Sequence, residues 1–250
     1  MKISNTELLR YSKQIILKKI GISGQKKIFS TKVLVVGVGG LGCPLALYLA
    51  NTGIGILGLI DNDKVDISNL NRQILFKTDD IGKYKVVQAK KFLNKINNKI
   101  KIKIYKDSLT KKNIKKILNK YDIICDCSDN FATRYLINNF CFKSKKILIS
   151  AAISKFDAHI FNFDFSRNIP CYKCFMPEIP DEENRCDAEG ILPTVAGIAG
   201  TLQANEVVKS ILEEKNNLVG KMIVFNTLNL DFRKIKLTRN TGCIMSCKKR

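Results

Sequence analysis

A glycine-rich turn at residues 37–42, with the sequence GVGGLG, constrains the fold of this chain more than any other feature. An uncharged apolar strand at residues 33–36 leads into the turn, and helical sequence at residues 41–50 follows it. Glycines allow a tight turn and let backbone N–H groups approach a phosphate beside the positive end of the helix dipole. The pattern therefore predicts the phosphate-binding turn of a βαβ nucleotide site. Its glycines are Gly37, Gly39, Gly40 and Gly42.

The alternation of strands and helices along the chain predicts the fold class. The second apolar strand, residues 56–60, ends at Asp61, where an acidic side chain can accept hydrogen bonds from a ribose. The alternation is typical of a doubly wound, Rossmann-like α/β fold with a mostly parallel sheet. Further strands are predicted at residues 100–105, 123–127, 147–151 and 159–163, and helices at residues 4–18, 82–97, 110–119 and 132–142.

The pattern changes near residue 165. Residues 166–190 are polar, with three Pro and three Cys, and residues 191–212 predict a long helix. Two strands are expected after it, at residues 222–226 and 232–237. We therefore expect a single domain over residues 1–250. Its parts are N-terminal helices (1–30), a nucleotide-binding core (31–165) and a C-terminal, zinc-bearing extension (166–250).

The net charge of +21 does not by itself indicate a nucleic-acid partner. The lysines are spread over the whole chain, and the densest stretch, residues 99–120, has the pattern of a strand and a helix with solvated faces. We expect no nucleic-acid partner, and we note that a basic surface also suits an acidic protein.

Residues 33–60 carry no charge and are long enough to cross a bilayer, but seven Gly and one Pro divide them into a strand, a helix and a second strand. The N-terminus has charges throughout and lacks the apolar core of a secretory signal. We therefore expect no membrane span and a cytoplasmic location. The nine cysteines are expected to be thiols, metal ligands or catalytic groups rather than disulfides.

Polar residues after Asp61 distinguish this site from a generic dinucleotide site. Residues 61–63 (DND) lead into residues 68–73 (SNLNRQ), and Lys85 lies on the next predicted helix. Concentrated cations suit a reaction that builds negative charge at phosphorus, whereas an NAD site relies mainly on backbone groups and a dipole. Asp129 follows the strand at residues 123–127, where a carboxylate can hold Mg²⁺. An NAD-linked oxidoreductase and a non-enzymatic, zinc-dependent interaction module are the alternatives.

Two cysteine pairs predict a structural zinc site. Cys171 and Cys174 form a C-x-x-C pair, and Cys243 and Cys247 lie near the C-terminus. Four thiolates from two distant segments suit tetrahedral Zn²⁺. A redox C-x-x-C is the alternative.

Seven segments occur in the order seen in the ThiF/MoeB/HesA family, the bacterial relatives of ubiquitin-activating enzymes, which this chain resembles over nearly its whole length. They are residues 10–14 (RYSKQ), 37–42, 61–63, 68–73, 127–130 (CSDN), 171–174 (CYKC) and Cys186. The resemblance implies a homodimeric nucleotidyltransferase that uses ATP and Mg²⁺. Its substrate would be the C-terminal Gly-Gly carboxylate of a ubiquitin-like sulfur carrier, of the MoaD or ThiS type, in molybdopterin or thiamine biosynthesis.

The resemblance also implies roles for individual residues. Asp61 would hold the ribose, Asp129 would bind Mg²⁺, and Arg72 and Lys85 would act as catalytic residues that neutralise the phosphates. Lys13 stands where the family usually has an arginine that reaches the ATP of the other subunit, and lysine lacks the bidentate fork of arginine. The remaining nucleotide contacts that the resemblance implies are Asp63, Ser68, Asn69, Gln73 and Asn130.

The family carries the zinc site, generally with C-x-x-C in both pairs, whereas here one additional residue separates Cys243 from Cys247. By the same resemblance, Cys186 is the cysteine able to form a covalent link with the C-terminus of the carrier. We expect no rhodanese-type domain after Cys247, and we expect sulfur to come from a separate donor or from a partner that acts on the adenylate. The sequence leaves both carrier types open.

Two further expectations concern the surroundings of the site. Phe175, Met176 and Ile179, with residues 191–202, offer apolar surface that either receives the carrier or packs in the core or a dimer interface. The only histidine, His159, begins an apolar strand. We expect it to be a core or edge residue rather than a base, because an ionised carboxylate attacks without one.

Overall fold

The computed structural model describes residues 3–178 and 190–243, and these residues form one eight-stranded sheet covered by helices on both faces. The strand order is β3-β2-β1-β4-β5-β6-β7-β8. The strands are β1 (Lys32–Val36), β2 (Ile56–Ile60), β3 (Lys101–Tyr105), β4 (Ile123–Asp126), β5 (Ile147–Ser154), β6 (Asp157–Asp164), β7 (Lys221–Asn226) and β8 (Asp231–Lys236). The helices are α1 (Asn5–Ile15), α2 (Gly21–Ser30), α3 (Gly42–Thr52), α4 (Lys85–Ile96), α5 (Ile114–Leu118), α6 (Phe131–Lys143), α7 (Tyr172–Phe175) and α8 (Pro193–Ile211).

Period-two alternation along the apolar strands explains the two-sided core. In β1, Val33 and Val35 face one apolar cluster, which α3, α4 and α8 complete, and Leu34 and Val36 face the other, which α5, α6 and α7 complete. Because both faces of the strand are covered, its sequence is a continuous apolar run rather than an alternating one. The doubly wound α/β fold predicted from the sequence is confirmed.

The direction of the strands changes halfway across the sheet. The five strands from β3 to β5 run parallel, in the order β3-β2-β1-β4-β5. The chain adds strands outward on one side of β1 and then on the other, so the order reverses between β1 and β4, which is where folds of this kind bind ligands. From β6 onward the pairing is antiparallel. Short hairpins join β5 to β6 and β7 to β8, whereas α7 and α8 lie in the long connection between β6 and β7.

Several predicted elements differ from the observed ones. The helix predicted at residues 4–18 ends at Ile15, and the strand predicted at residues 147–151 continues to Ser154. The helix predicted at residues 110–119 is helical only in α5, because the Asn113 side chain accepts a hydrogen bond from Thr110 N and donates one to Ser108 O, which holds the preceding residues in a turn. The helix predicted at residues 82–97 begins at Lys85, since Gly82 has a φ of +79°. The segment predicted as a loop at residues 166–190 contains the short helix α7.

The apolar segment at residues 33–60 divides as predicted into β1, the glycine turn, α3 and β2. Across the described ranges, 3–178 and 190–243, no helix has the length and apolar character needed to cross a bilayer.

A buried amide attaches the N-terminal helix to the nucleotide-binding core. Ser4 caps α1 by accepting from Glu7 N, and Tyr11 on this helix is buried against Phe29. Asn97, which is fully buried after α4, donates from Nδ2 to the Tyr11 hydroxyl at 2.7 Å and to Ala50 O at 2.8 Å. The Asn97 side chain therefore joins α1, α3 and the end of α4 through two buried hydrogen bonds.

We expect Tyr11→Phe to lower the free energy of unfolding by about 1–2 kcal/mol, because one amide hydrogen of Asn97 loses its acceptor inside the core. Urea unfolding followed by circular dichroism measures the change. Tyr48→Phe is the matched control, since Tyr48 is 49% exposed. Equal stability of the Tyr11→Phe and Tyr48→Phe variants would contradict the assignment.

Candidate nucleotide site

Two positions of the glycine turn, Gly37 and Gly42, have no room for a Cβ atom. Gly37 has a φ of +87°, and a Cβ on it would lie 2.8 Å from the carbonyl oxygen of Cys127, at the end of β4. A Cβ on Gly42 would lie 2.0 Å from the Gly37 carbonyl oxygen. Larger residues would separate β1 from β4 or displace the first turn of α3. The turn thus brings the start of α3 over the point where the sheet order reverses.

Asp61 braces this turn. Its Oδ2 accepts from Val38 N at 2.7 Å, and its Oδ1 accepts from Asp63 N at 2.8 Å. Burial raises the pKa of the Asp61 carboxyl above its usual value, while these hydrogen bonds and the charge of Lys85 act in the opposite direction. The carboxylate at the end of β2 is therefore held in a fixed orientation toward the glycines.

The loop after β2 is ordered by its own side chains. Asp66 caps a 3₁₀ turn, Ile67–Asn69, by accepting from Ser68 N, and Arg72 donates from Nη1 to Ser68 O at 2.8 Å. Gln73 is 3% exposed, and within the described ranges its Oε1 has no hydrogen-bond partner. A buried acceptor without a donor is costly, so this atom is a candidate contact for a ligand.

Lys85 lies at the first position of α4 and is nearly buried. Its Nζ forms an ion pair with Asp63 Oδ2 at 2.8 Å, with the lysine side chain 8% and the aspartate side chain 56% exposed. Asp63 therefore fixes the Lys85 ammonium group in the wall of the same cavity as the glycine turn, while the Asp63 carboxylate stays accessible to solvent.

A buried carboxylate, Asp126, organises the end of β4, and the sequence analysis missed it. Its Oδ1 accepts from Ser128 Oγ at 2.6 Å, and its Oδ2 accepts from Ser150 Oγ at 2.8 Å. Arg134 Nε lies 3.4 Å from Oδ2, and both side chains are buried. The signal was available in the sequence as a charged residue within an apolar strand, followed by an arginine on the next helix.

Arg134 also fixes the ends of two strands. Its Nη2 donates to the carbonyl oxygens of Ser128 at 2.8 Å and Ala151 at 3.1 Å. The guanidinium therefore connects β4 and β5 at their carboxyl ends. Asp129 follows directly and is exposed, and Asn130 caps α6 by accepting from Thr133 N at 2.9 Å.

One cavity of about 520 Å³ opens along this edge of the sheet. Ten of the predicted nucleotide residues line it, whereas Gly42, Ser68, Asn69 and Lys13 do not. Lys13 is exposed on α1, and neighbouring Arg10 donates to Ile96 O at 3.1 Å. The predicted residues in the cavity wall are Gly37, Gly39, Gly40, Asp61, Asp63, Arg72, Gln73, Lys85, Asp129 and Asn130.

The cavity continues beyond the predicted residues in both directions. On the β3 side it is lined by Asp107, Ser108 and Leu109. On the other side it reaches the β5–β6 hairpin and α7, and its wall there includes Ala152, His159, Tyr172, Phe175 and Met176. His159, expected to be a core or edge residue, is half-buried on β6. It also lines the cavity, which the sequence pattern did not indicate.

Three of the four predicted zinc ligands meet on the side of the sheet covered by α6 and α7. The Sγ atoms of Cys171, Cys174 and Cys243 all lie within 4.8 Å of one another, with 3.7 Å between those of Cys171 and Cys243. Cys247 and Cys186 lie outside the described residues, as does Ile179. Cys43, Cys125, Cys127 and Cys141 are buried, as expected of small core residues.

The fold and the cavity define a Rossmann-type nucleotide-binding domain with cationic side chains beside its glycine turn. The ThiF family model matches residues 11–245, and the chain belongs to that family. This confirms the resemblance on which the predicted roles depend.

Curated relatives agree with this assignment. The chain is 40% identical over 238 residues to the adenylyltransferase and sulfurtransferase MOCS3 of Anopheles gambiae, covering 94% of this chain and 54% of that protein. It is 40% identical over 247 residues to the Xenopus laevis protein of the same name, covering 98% and 54%. The chain thus spans just over half the length of the curated relatives it matches.

Solved structures of Escherichia coli MccB share the fold. The complex of MccB with AMPCPP and MccA superposes with a TM-score of 0.84 at 26% identity, covering 97% of this chain and 75% of MccB. The complex with ATP gives a TM-score of 0.83 at 25% identity, covering 94% and 74%.

We expect Arg134→Met to lower the free energy of unfolding by about 3–5 kcal/mol, because Asp126 would remain buried without its cation. Arg167→Met is the control. Arg167 pairs with Asp164 at 2.8 Å but is 59% exposed, so its loss should change stability by about 0–1 kcal/mol. Chemical denaturation measures the free energy of unfolding of both variants. Similar decreases in the two variants would contradict the role given to Arg134.

Proposed function

We propose that this chain uses Mg-ATP to adenylate the C-terminal carboxylate of a ubiquitin-like sulfur-carrier protein of the MoaD or ThiS type, releasing pyrophosphate. The observation that carries the proposal is the single cavity that joins the glycine turn, two cations and the exposed carboxylate of Asp129. The similarity to proteins named adenylyltransferases supports it. These cations and that similarity favour adenylation over an NAD-linked reaction or an interaction module without enzymatic activity.

The nucleotide would lie across the ends of β2, β1 and β4. Each carboxylate oxygen of Asp61 already accepts one hydrogen bond, from Val38 N or Asp63 N. Its remaining lone pairs would accept hydrogen bonds from the ribose hydroxyls. The backbone of the glycine turn would approach the phosphates at the start of α3. Gln73, whose Oε1 has no partner within the described ranges, would gain one from the substrates.

The two cations would reduce repulsion between two anions, the carrier carboxylate and the triphosphate. In the reaction, a carboxylate oxygen attacks the α-phosphorus, an O–P bond forms, and the bond to the β-phosphate breaks with its electron pair leaving on pyrophosphate. No proton is transferred, so no general base is required. Arg72 and Lys85 would stabilise the charge that develops on the phosphates, and holding both substrates in one cavity lowers the entropic cost of their encounter.

The residues at the end of β4 suit a magnesium ion. Asp129 presents an exposed carboxylate, and the neighbouring Asn130 donates to it from Nδ2 at 3.3 Å. A hard divalent cation prefers such oxygen ligands together with phosphate oxygens and water. When bound, the ion would supply positive charge to the departing pyrophosphate.

The cysteine group fits zinc. Three thiols within 4.8 Å give the ligand type and the spacing that tetrahedral Zn²⁺ requires, and Cys247 would be the fourth ligand. Burial and the two neighbouring thiols raise the pKa of Cys171 to about 12 without a metal. A divalent cation would reverse this cost by stabilising the thiolates. The ion would hold the C-terminal segment against α7.

Four further expectations belong to this proposal. A homodimer would let Lys13 reach the nucleotide of the other subunit, since Lys13 is exposed and outside its own cavity. Cys186 would be the residue able to form a covalent link with the carrier. A separate donor would supply sulfur, in molybdopterin or thiamine biosynthesis, and the protein would work in the cytoplasm.

We expect Asp129→Ala to reduce carrier-dependent ATP–pyrophosphate exchange by about 100-fold or more, since the metal would lose its protein ligand at the transition state. Folding should be unaffected because Asp129 is exposed. Asp79→Ala, an exposed carboxylate paired with Lys77 outside the cavity, is the control. Exchange retained by the folded Asp129→Ala protein would refute the assignment.

We expect the purified protein to contain about one zinc per chain, and Cys171→Ser to lose it, because a neutral hydroxyl is a poor ligand for Zn²⁺. Elemental analysis measures the content, and a chelator should lower the thermal midpoint of the wild-type protein. Cys141→Ala, a buried cysteine outside the group, should keep its zinc. A metal-free wild-type protein with unchanged stability would rule the site out.

A further inference from the structure

The part of the cavity beyond the nucleotide residues has walls of a different kind. Its floor is the hairpin of β5 and β6, in which Ala152 pairs directly with His159 across the antiparallel ladder. The side walls are aromatic or apolar, with Phe175 and Met176 from α7 and its C-terminus, and Ile191 from the chain entering α8. The charged side chains near this region are Asp157 and Arg134, and the Arg134 guanidinium is paired with Asp126. The rest of the wall is mostly apolar and suits an uncharged, extended segment of chain.

The distance across the sheet sets the length of that ligand. From the end of β4, where the α-phosphate and the reacting carboxylate would meet, β6 lies two strands away. Two strand spacings amount to about 10 Å, and an extended peptide advances about 3.3 Å per residue. About three residues of extended chain therefore reach from the reacting carboxylate to His159.

The imidazole of His159 is held in the wall and is available for hydrogen bonding. Its ring contacts Phe161 and Phe175 edge-on, with centroid distances of 6.4 and 6.0 Å. Nothing within residues 3–178 and 190–243 hydrogen-bonds to either ring nitrogen. The Ala152 methyl group opposite leaves space beside the ring.

The surroundings of the imidazole favour its neutral form. Burial lowers the pKa of His159 below its usual value, the charge of Arg134 lowers it further, and Asp157 opposes both. A neutral imidazole carries one N–H donor and one acceptor nitrogen. Either nitrogen can therefore bond to the backbone of an extended peptide, the N–H to a carbonyl oxygen or the acceptor nitrogen to an amide N–H.

We propose that His159 positions the tail of the acyl substrate by hydrogen-bonding the backbone of about the third residue from its C-terminus. The inference rests on the proposed function and adds to it a residue that would contact the tail of the carrier. His159 is a positioning residue, since it does not touch the reacting atoms.

Steady-state ATP–pyrophosphate exchange with a MoaD-type and a ThiS-type carrier tests this. His159→Leu removes the donor and the acceptor, whereas His159→Gln keeps one of each at a similar distance. For the carrier that the wild-type protein uses, His159→Leu should raise the carrier KM by about fivefold to tenfold, as expected for one hydrogen bond. The KM for ATP and kcat should change by less than about twofold, and His159→Gln should restore most of the carrier KM.

The controls separate this inference from the proposed function and from folding. Lys116→Gln, an exposed residue of α5 outside the cavity, should leave all parameters unchanged. Thermal unfolding and titration with ATP alone establish that each variant is folded and binds nucleotide. An unchanged carrier KM in His159→Leu, an equal rise in the KM for ATP, or a His159→Gln variant as impaired as His159→Leu would each overturn the role of His159. Wild-type protein that exchanges with neither carrier would overturn the proposed function itself, and this inference with it.

Discussion

The close approach of Gly37 to the carbonyl of Cys127 is the contact on which the rest of the site depends. A Cβ at Gly37 would lie 2.8 Å from that oxygen, so the ends of β1 and β4 can be neighbours only while residue 37 is glycine. The chain passes from β1 directly into the turn and α3, and from β4 directly into the segment that carries Asp129. One steric constraint therefore brings the glycine turn and the exposed carboxylate to the same point of the sheet.

Charged groups around that point are fixed before any ligand arrives. Lys85 is held by Asp63, Arg72 by Ser68 O, and Arg134 by the Asp126 carboxylate. Of these three contacts, only the Arg134–Asp126 ion pair has both side chains buried. Its guanidinium also donates to Ala151 O, so it connects β4 to β5. A site whose cations are already oriented loses less free energy in reorganisation when a triphosphate binds, which favours charge development at the transition state.

Features of the site that depend on a short stretch of sequence could be predicted from the sequence alone. The glycine turn, Asp61 and the order of βα units are local, and each lies where the pattern predicted. The ion pair of Asp126 and Arg134 was not predicted, because it forms only where β4, β5 and α6 meet in space. The position of His159 depends on the turn from parallel to antiparallel pairing at β6, which an apolar strand pattern does not reveal. The cysteine group is intermediate. The sequence predicted Cys171, Cys174 and Cys243 as ligands of one metal, but only the packing shows that the three thiols lie together.

The change to antiparallel pairing has a consequence for the two halves of the cavity. In the parallel half, β1, β2, β3 and β4 end at this edge of the sheet. The loops after β2, β3 and β4 supply charged and polar side chains to the cavity wall. At β6 a strand begins at this edge instead, so its first residues, including Ala158 and His159, form a flat floor with alternating side chains. Helix α7 and the entry to α8 close over that floor. The cavity therefore has one part whose wall is built from loops and one whose floor is built from strands. A strand-built floor is the kind of surface whose repeat matches an extended peptide.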